Sequence, residues 1–165
     1  QQLLLDAVLA QNAAQRHAMW RLREDWAVDR ERPGGLWYDI SVPLSAMADY
    51  VARVAARVEA LDSSLEVYVI GHLADGNLHV TVNAPYPVNE RYEAIAPLVT
   101  DELNALGGSF SAEHGIGMEK QATLLRLVSP AKLALMQAVK RAYDPHGIMN
   151  PGKVLPTAPA GPSAG

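Results

Sequence analysis

Gly71-His72-Leu73-Ala74-Asp75-Gly76-Asn77-Leu78-His79-Val80 is the stretch that decides the fold. Apolar runs rich in β-branched residues flank it, and Asp75-Gly76-Asn77 is turn chemistry, because glycine adopts positive φ freely and Asp and Asn tolerate it. The pattern predicts a β-hairpin. If the pairing is symmetric about the turn, His72 and His79 lie opposite each other on one face, with Cβ atoms about 4.5–5.5 Å apart. Two imidazoles at that separation can bind one metal ion.

The composition of the 165 residues favours a folded domain and excludes several other classes of protein. Of these residues 49% are hydrophobic, which indicates a folded domain with a real core. The net charge is −4 and no stripe of Lys or Arg stands out, which argues against nucleic acid as the main partner. Cysteine is absent, which excludes disulfides and thiolate chemistry. No apolar run approaches the length of a membrane span and no signal peptide is visible, so we expect a cytoplasmic location. Because the chain begins at Gln1 as if inside a helix, we expect a piece of a longer protein.

The predicted elements around the hairpin follow the order βαββαβ. A strand over 36–42 precedes a helix over 44–61, and the hairpin is followed by a helix over 88–106 and a short fourth strand from Ser109 to Glu113. This order predicts a ferredoxin-like α+β fold, with an antiparallel sheet and helices on one face. We also predict an N-terminal helix over 1–28, a C-terminal helix over 129–143 and an ordered coda over 148–153. One domain would span 1–155, followed by a flexible tail over 156–165.

Strand parity divides the side chains between two faces of the sheet. The Leu and Val side chains of the hairpin fall on the face that the helices cover, and the histidines and Glu113 fall on the other. We expect the second and fourth strands to run in the same direction, so that His72, His79 and Glu113 meet at one edge. With the first strand between them, Glu113 starts about 9–10 Å from His79. A local bend must close that gap.

These residues predict a metal site with a base beside it. His72, His79 and Glu113 form the His₂-carboxylate set that often holds catalytic zinc, although histidines can also merely cap strands. A neutral imidazole at His114 could act as a general base, the alternative being a turn residue before Gly115. Asn77 is a turn former that we also keep as a candidate substrate-binding residue. The sequence contains no Gly-rich phosphate loop and no Gly-x-Ser-x-Gly elbow.

Three motifs carry a family resemblance. Gly-His-Leu-Ala-Asp-Gly-Asn-Leu-His at 71–79, Ser-Ala-Glu-His-Gly-Ile-Gly at 111–117 and Asp-Pro-His-Gly-Ile-Met-Asn-Pro-Gly-Lys at 144–153 match in order and spacing. They resemble the C-terminal domain of FAD-linked oxidases of the vanillyl-alcohol-oxidase type, in the branch with D-lactate, glycolate and D-2-hydroxyglutarate dehydrogenases. The resemblance implies that FAD is bound mainly by a separate N-terminal domain, absent from this chain. It also implies that the domain seen here forms the substrate side of the active site.

The resemblance further implies roles for individual residues. A divalent metal, zinc or manganese, is held by His72, His79 and Glu113 and polarises the substrate oxygen. His114 removes the hydroxyl proton while hydride passes to the flavin. An arginine in the preceding helix, matched by Arg23, binds the substrate carboxylate through a bidentate contact. The candidate cofactor-binding residues are Asn150 and Lys153 in the coda.

Two positions depart from the hydroxyglutarate-type pattern. The resemblance implies a threonine one turn after the arginine and a lysine just before the Tyr-Asp of the first strand, where this chain has Ala27 and Trp37. A monocarboxylic or more apolar 2-hydroxy acid is therefore the expected substrate. The other expected partners are the FAD-binding domain of the same polypeptide and an unidentified electron acceptor, and homo-oligomer formation is left open.

Three functions remain open at this point. The first is the substrate- and metal-binding domain of an FAD-dependent 2-hydroxy-acid dehydrogenase, which predicts no catalysis by this chain alone. The second is a stand-alone metal-dependent hydrolase that activates water and works without flavin. The third is a non-catalytic ferredoxin-like binding module, which predicts no metal and tolerance of His72→Ala and Glu113→Ala.

Overall fold

The computed structural model describes residues 6–24 and 34–156, and the chain forms two compact units, Gln1–Pro33 and Gly34–Gly165. The first unit contains helix α1 (Ala13–Glu24), none of whose residues is buried. The predicted helix over 1–28 is wrong for residues 6–12, because the Asn12 side chain accepts the N–H of Gln15 at 2.9 Å and caps the helix there. The rest of that prediction, over 1–5 and 25–28, lies outside the described residues.

The second unit is an antiparallel sheet with helices, which confirms the predicted α+β class. The three strands have the order β1-β3-β2, and both pairings are antiparallel. Single 3₁₀ turns at Leu44–Ala46 and Asn89–Arg91 precede two of the helices. The elements in chain order are β1 (Leu36–Ser41), α2 (Met47–Leu61), β2 (Glu66–His72), β3 (Asn77–Asn83), α3 (Tyr92–Thr100), α4 (Leu103–Leu106), α5 (Gln121–Leu127) and α6 (Pro130–Tyr143). None of the helices in the described ranges is long and apolar enough to cross a membrane.

The core lies on the sheet face that carries the Leu and Val side chains, as the strand parity predicts. Ile40, Val80 and Val82 are fully buried there, against Val54 of α2 and Ile95 of α3. Burying side chains of this size is worth about 1.5–3 kcal/mol each. The helices therefore cover this face, and the histidine-bearing face is left to carry a site.

The hairpin forms as predicted, but its register differs. His72 pairs with Asn77, and His79 pairs with Ile70, so the prediction that the two histidines lie directly opposite each other is wrong. The turn is asymmetric because the Asp75 side chain accepts the N–H of Asn77 at 3.0 Å. In addition, the carbonyl of Gly76, a residue at φ 75°, accepts the N–H of Val42, the residue that follows β1, at 3.0 Å. His72 and His79 still share a face, as diagonal neighbours.

The predicted fourth strand is reduced to one antiparallel bridge between Ser41 and Ser109. Beyond the bridge, the N–H groups of Glu113 and His114 donate to the Asp39 side chain rather than to a strand, so the prediction of a strand from Ser109 to Glu113 is wrong. The bridge orientation also gives this segment the direction of β3. The expectation that it runs with the second strand is therefore wrong.

The coda is ordered by the carboxylate of Asp144, directly after α6. Asp144 accepts the N–H groups of Ile148 and Met149, each at 2.9 Å, and an ion pair from Lys140 Nζ at 2.6 Å. The N–H of Val154 then donates to the carbonyl of Gly117 at 2.7 Å, so the coda lies beside the segment that follows His114. The predicted domain boundary at 155 stays a prediction, and the tail over 157–165 lies outside the described residues.

Candidate metal and substrate site

A shared carboxylate joins two histidines on the open face of the sheet. The Nε2 atom of His79 lies 3.2 Å from Glu113 Oε1, and the Nε2 atom of His114 lies 3.4 Å from the same oxygen. The two imidazole rings stack with centroids 5.4 Å apart. The side chain of His79 is 15% exposed and that of His114 is 63% exposed, so one histidine is built into the sheet and the other faces solvent.

His72 stands beside this pair at the end of β2. Its ring meets the ring of His79 edge-on, with centroids 5.7 Å apart. His72 is exposed, and it is not one of the four residues whose ligand atoms cluster most closely. Its predicted role as a metal ligand stays a prediction.

Asp39 of β1 lies under the site and was missed by the sequence reasoning. It pairs directly with His79 across the sheet and is 3% exposed. Its Oδ2 atom accepts the N–H of His114 at 2.8 Å and that of Glu113 at 3.0 Å, and Lys120 Nζ lies 3.3 Å away. Burial by itself raises the pKa of Asp39, but these backbone donors and the lysine charge outweigh burial and hold the pKa below its ordinary value.

The arrangement fits a divalent cation. Asp39, His79, Glu113 and His114 each offer one nitrogen or oxygen atom, and these four atoms lie within 4.8 Å of one another. The Oδ1 atom of Asp39 is buried and has no hydrogen-bond partner among the described residues, so a buried polar atom beside the cluster is left unsatisfied by them. Imidazole and carboxylate donors suit zinc and also manganese.

A cavity of about 430 Å³ opens beside these side chains. Trp37 forms part of its wall and is 44% exposed. Lys120 and Lys153 are the cations among its described lining residues, and Lys120 is engaged with Asp39. The lining residues that matter here are Trp37, His79, His114, Met118, Lys120 and Lys153.

The remaining predicted site residues occupy different surroundings. Asn77 is 5% exposed and its Oδ1 atom lacks a partner within the described part of the chain. Lys153 lies on the cavity wall, where its amino group contacts the sulfur of Met118, and Asn150 is exposed at φ 44° in the coda. Arg23 belongs to the first unit, where its guanidinium carbon lies 5.5 Å from the centroid of the Trp20 ring.

A signal for Asp39 was present in the sequence. The alternation of β1 places Asp39 on the histidine face. A carboxylate in the middle of a short strand needs hydrogen-bond donors or a cation if it is buried. Lys120 carried no such signal, because it reaches Asp39 across 81 residues of sequence.

The chain belongs to the family described as FAD linked oxidases, C-terminal domain, whose profile matches residues 1–154. Among curated proteins it is similar to a D-2-hydroxyglutarate dehydrogenase of Xanthomonas citri pv. viticola, with 35% identity over 157 residues. It is also similar to the mitochondrial D-2-hydroxyglutarate dehydrogenases of Arabidopsis thaliana and Bos taurus, each at 36% identity. The predicted family is therefore confirmed.

These matches cover nearly all of this chain and a minor part of each relative. They extend over 92%, 93% and 94% of the chain, and over 33%, 27% and 28% of the respective relatives. The chain thus spans about a third or less of the length of the curated relatives that it matches.

Proposed function

We propose that this chain is the substrate- and metal-binding domain of an FAD-dependent dehydrogenase that oxidises a D-2-hydroxy acid to a 2-oxo acid. The observation that carries the proposal is the convergence of His79, Glu113 and His114 within one group of ligand atoms, two of these residues lining a cavity of about 430 Å³. Membership of the FAD-linked oxidase family supports the flavin as the redox group.

In this proposal His114 accepts the hydroxyl proton of the substrate at Nε2. That atom lies 3.4 Å from Glu113 Oε1, so the imidazolium formed by proton transfer is stabilised by the adjacent carboxylate. The exposed side chain of His114 lines the cavity and is open to a bound molecule. The structure therefore supports a proton acceptor in the place where a substrate would lie.

The same proposal assigns the other groups. His72, His79 and Glu113 would hold zinc or manganese, which when bound stabilises negative charge on the substrate oxygen, while bound FAD accepts the hydride. Arg23 would bind the substrate carboxylate, with Asn77 as a second substrate contact, and Asn150 and Lys153 would face the flavin. The flavin-binding part would lie in the same polypeptide. The predicted cytoplasmic location stays a prediction, since two of the relatives named above are mitochondrial.

Trp37 supports a substrate with an uncharged tail. Its half-exposed indole lies on the wall of the cavity, and of the two lysines there Lys120 already neutralises Asp39. A second carboxylate packed against the apolar indole of Trp37 would lose water, and the remaining lysine of the wall, Lys153, is the one that the proposal assigns to the flavin. We therefore propose a preference for monocarboxylic D-2-hydroxy acids over D-2-hydroxyglutarate, the substrate in the names of the relatives.

The test uses the full flavin-loaded polypeptide that contains this chain. Reduction of an artificial electron-accepting dye is followed with D and L isomers of lactate, 2-hydroxybutyrate, phenyllactate and 2-hydroxyglutarate. We expect turnover of D isomers, with the highest kcat/KM for the monocarboxylates, and a loss of about 10²–10⁴-fold in kcat in His114→Ala. Flavin-independent hydrolysis by this chain would instead favour the hydrolase alternative, and full activity of His114→Ala would remove the assigned base.

A further inference from the structure

Asp39 bonds to three consecutive residues of the segment that carries Glu113 and His114. Its carbonyl accepts the N–H of Ala112 at 3.3 Å, and its Oδ2 atom accepts the N–H groups of Glu113 at 3.0 Å and His114 at 2.8 Å. Beyond the bridge at Ser109, this segment forms no strand pairing with any residue that the structure describes. The backbone of these two site residues is therefore held to the sheet largely through one buried side chain.

The position of Asp39 in the sheet also places the 112–114 segment next to His79. Asp39 of β1 is the register partner of His79 on the central strand β3. Because Asp39 also binds the 112–114 segment, it holds Glu113 beside His79. This explains how the expected gap between Glu113 and His79 closes to 3.2 Å without a fourth strand. A shift of the Asp39 carboxylate would move Glu113 and His114 together.

Lys120 contacts the same carboxylate oxygen of Asp39. Its Nζ atom lies 3.3 Å from the Oδ2 atom and from the carbonyl oxygen of Asp39, and 3.3 Å from the hydroxyl of Ser111. The side chain of Lys120 is 16% exposed, so this contact is only weakly screened by solvent. The same design recurs at Asp144, where a carboxylate with one lysine holds two consecutive N–H groups and orders the coda.

We propose that Asp39, held by Lys120, is a positioning residue that sets the distances of Glu113 and His114 from His79. The catalytic meaning of this role rests on the proposed function, whereas the positioning itself concerns only this chain. Removal of the carboxylate frees the 112–114 segment and separates the three side chains, while the helices and the core stay folded. Removal of the lysine charge does the same to a smaller extent.

The first test needs no metal and no flavin. In the chain without metal, NMR detects the nuclear Overhauser contact between the stacked rings of His79 and His114 and the hydrogen exchange of the Glu113 and His114 amides. In Asp39→Ala we expect the ring contact to disappear and these two amides to exchange faster than amides of α2. Lys120→Met is expected to show the same change more weakly, and Lys120→Arg is expected to restore the wild-type pattern. If Asp39→Ala does not fold, the two lysine variants decide the question.

The second test measures the affinity of each variant for Zn²⁺ by calorimetry. Loss of an outer-shell partner typically weakens metal affinity about 10–100-fold, and we expect Asp39→Ala to fall in that range. Asp62→Asn is the matched control, because Asp62 also binds a backbone N–H and a cation, in Ser64 and Arg91, and none of these lines the cavity. A ring contact that persists in a folded Asp39→Ala, with unchanged Zn²⁺ affinity, would overturn the proposal. A wild-type chain that binds no Zn²⁺ would instead contradict the metal in the proposed function, and the ring contact would still decide the role of Asp39.

Discussion

Glu113 is the residue on which the site depends, because its Oε1 atom lies within 3.4 Å of two histidine nitrogens. Its side chain is 48% exposed, and even fully charged contacts at exposed positions contribute only about 0–1 kcal/mol to stability. The cluster therefore adds little to folding. Its residue types are those that the proposed metal binding requires.

His79→Ala tests the most deeply buried of the three proposed metal ligands. We expect the wild-type chain to bind one Zn²⁺ or Mn²⁺, and the variant to lose more than the roughly 10–100-fold that an outer-shell partner costs. Calorimetric titration of the metal-stripped chain measures both. His146→Ala is the control, since His146 is an exposed residue of the turn between α6 and the coda, and it does not line the cavity. Equal binding by wild type and His79→Ala would place the metal elsewhere.

At the scale of elements, two turns position residues of the candidate site. They are the asymmetric turn of the hairpin and the turn after α6 that Asp144 stabilises. The first sets the diagonal relation of His72 to His79, and the second brings Lys153 to the cavity wall. Each depends on one residue whose conformation or charge the turn requires. Each can therefore be tested by a single substitution.

Gly76→Ala tests the hairpin turn. Gly76 has φ 75°, and a Cβ atom there would lie 2.3 Å from the carbonyl oxygen of Val42. Gly107 is the matched control, because it has φ 74° but nothing within 4 Å of its Cβ position. Positive φ alone costs a residue with a side chain about 1–2 kcal/mol, which is the loss expected for Gly107→Ala. Urea denaturation should show a larger loss of unfolding free energy in Gly76→Ala, and equal losses in both would contradict the close approach.

Asp144→Asn tests the turn after α6 through its pH dependence. The ion pair with Lys140 and the N–H groups of Met149 and Ile148 hold the pKa of Asp144 below its ordinary value, against the opposing effect of burial. A lowered folded-state pKa contributes stability that is complete above about pH 4 and is lost as the pH falls through the folded-state pKa. Thermal melts should therefore show a larger difference between wild type and variant at pH 7 than at about pH 3. A difference independent of pH would contradict this role of the charge.

At the scale of the whole molecule, the proposed oxidation requires a hydride acceptor that side chains do not supply. The chain spans about a third or less of the length of its curated relatives, and it carries a candidate proton acceptor and candidate metal ligands but no cysteine. The family to which it belongs is named for FAD. The proposed chemistry therefore divides between this chain and a flavin-binding part.

The chain by itself is expected to oxidise no 2-hydroxy acid, even when it is loaded with metal. Hydride transfer needs an acceptor that none of the twenty side chains supplies. Dye reduction with D-lactate, with and without added free FAD, measures this. Oxidation that appears with the flavin-binding part present and disappears in His114→Ala would support the division, whereas turnover by the chain without flavin would contradict it.

The amino-acid sequence by itself determined the class of fold, the two faces of the sheet, the hairpin, the family and the nature of the candidate ligands. Such features follow from local periodicity and from short motifs, whose burial or turn preferences act on neighbouring residues. Only the tertiary structure decided the register of His72 and His79, the loss of the fourth strand and the part played by Asp39. Each of these depends on which hydrogen-bond acceptor a backbone N–H group meets in the folded chain. The N–H groups of Glu113 and His114 donate to Asp39, which lies 74 and 75 residues away in the sequence. No local pattern records which partner lies nearest once the chain has folded.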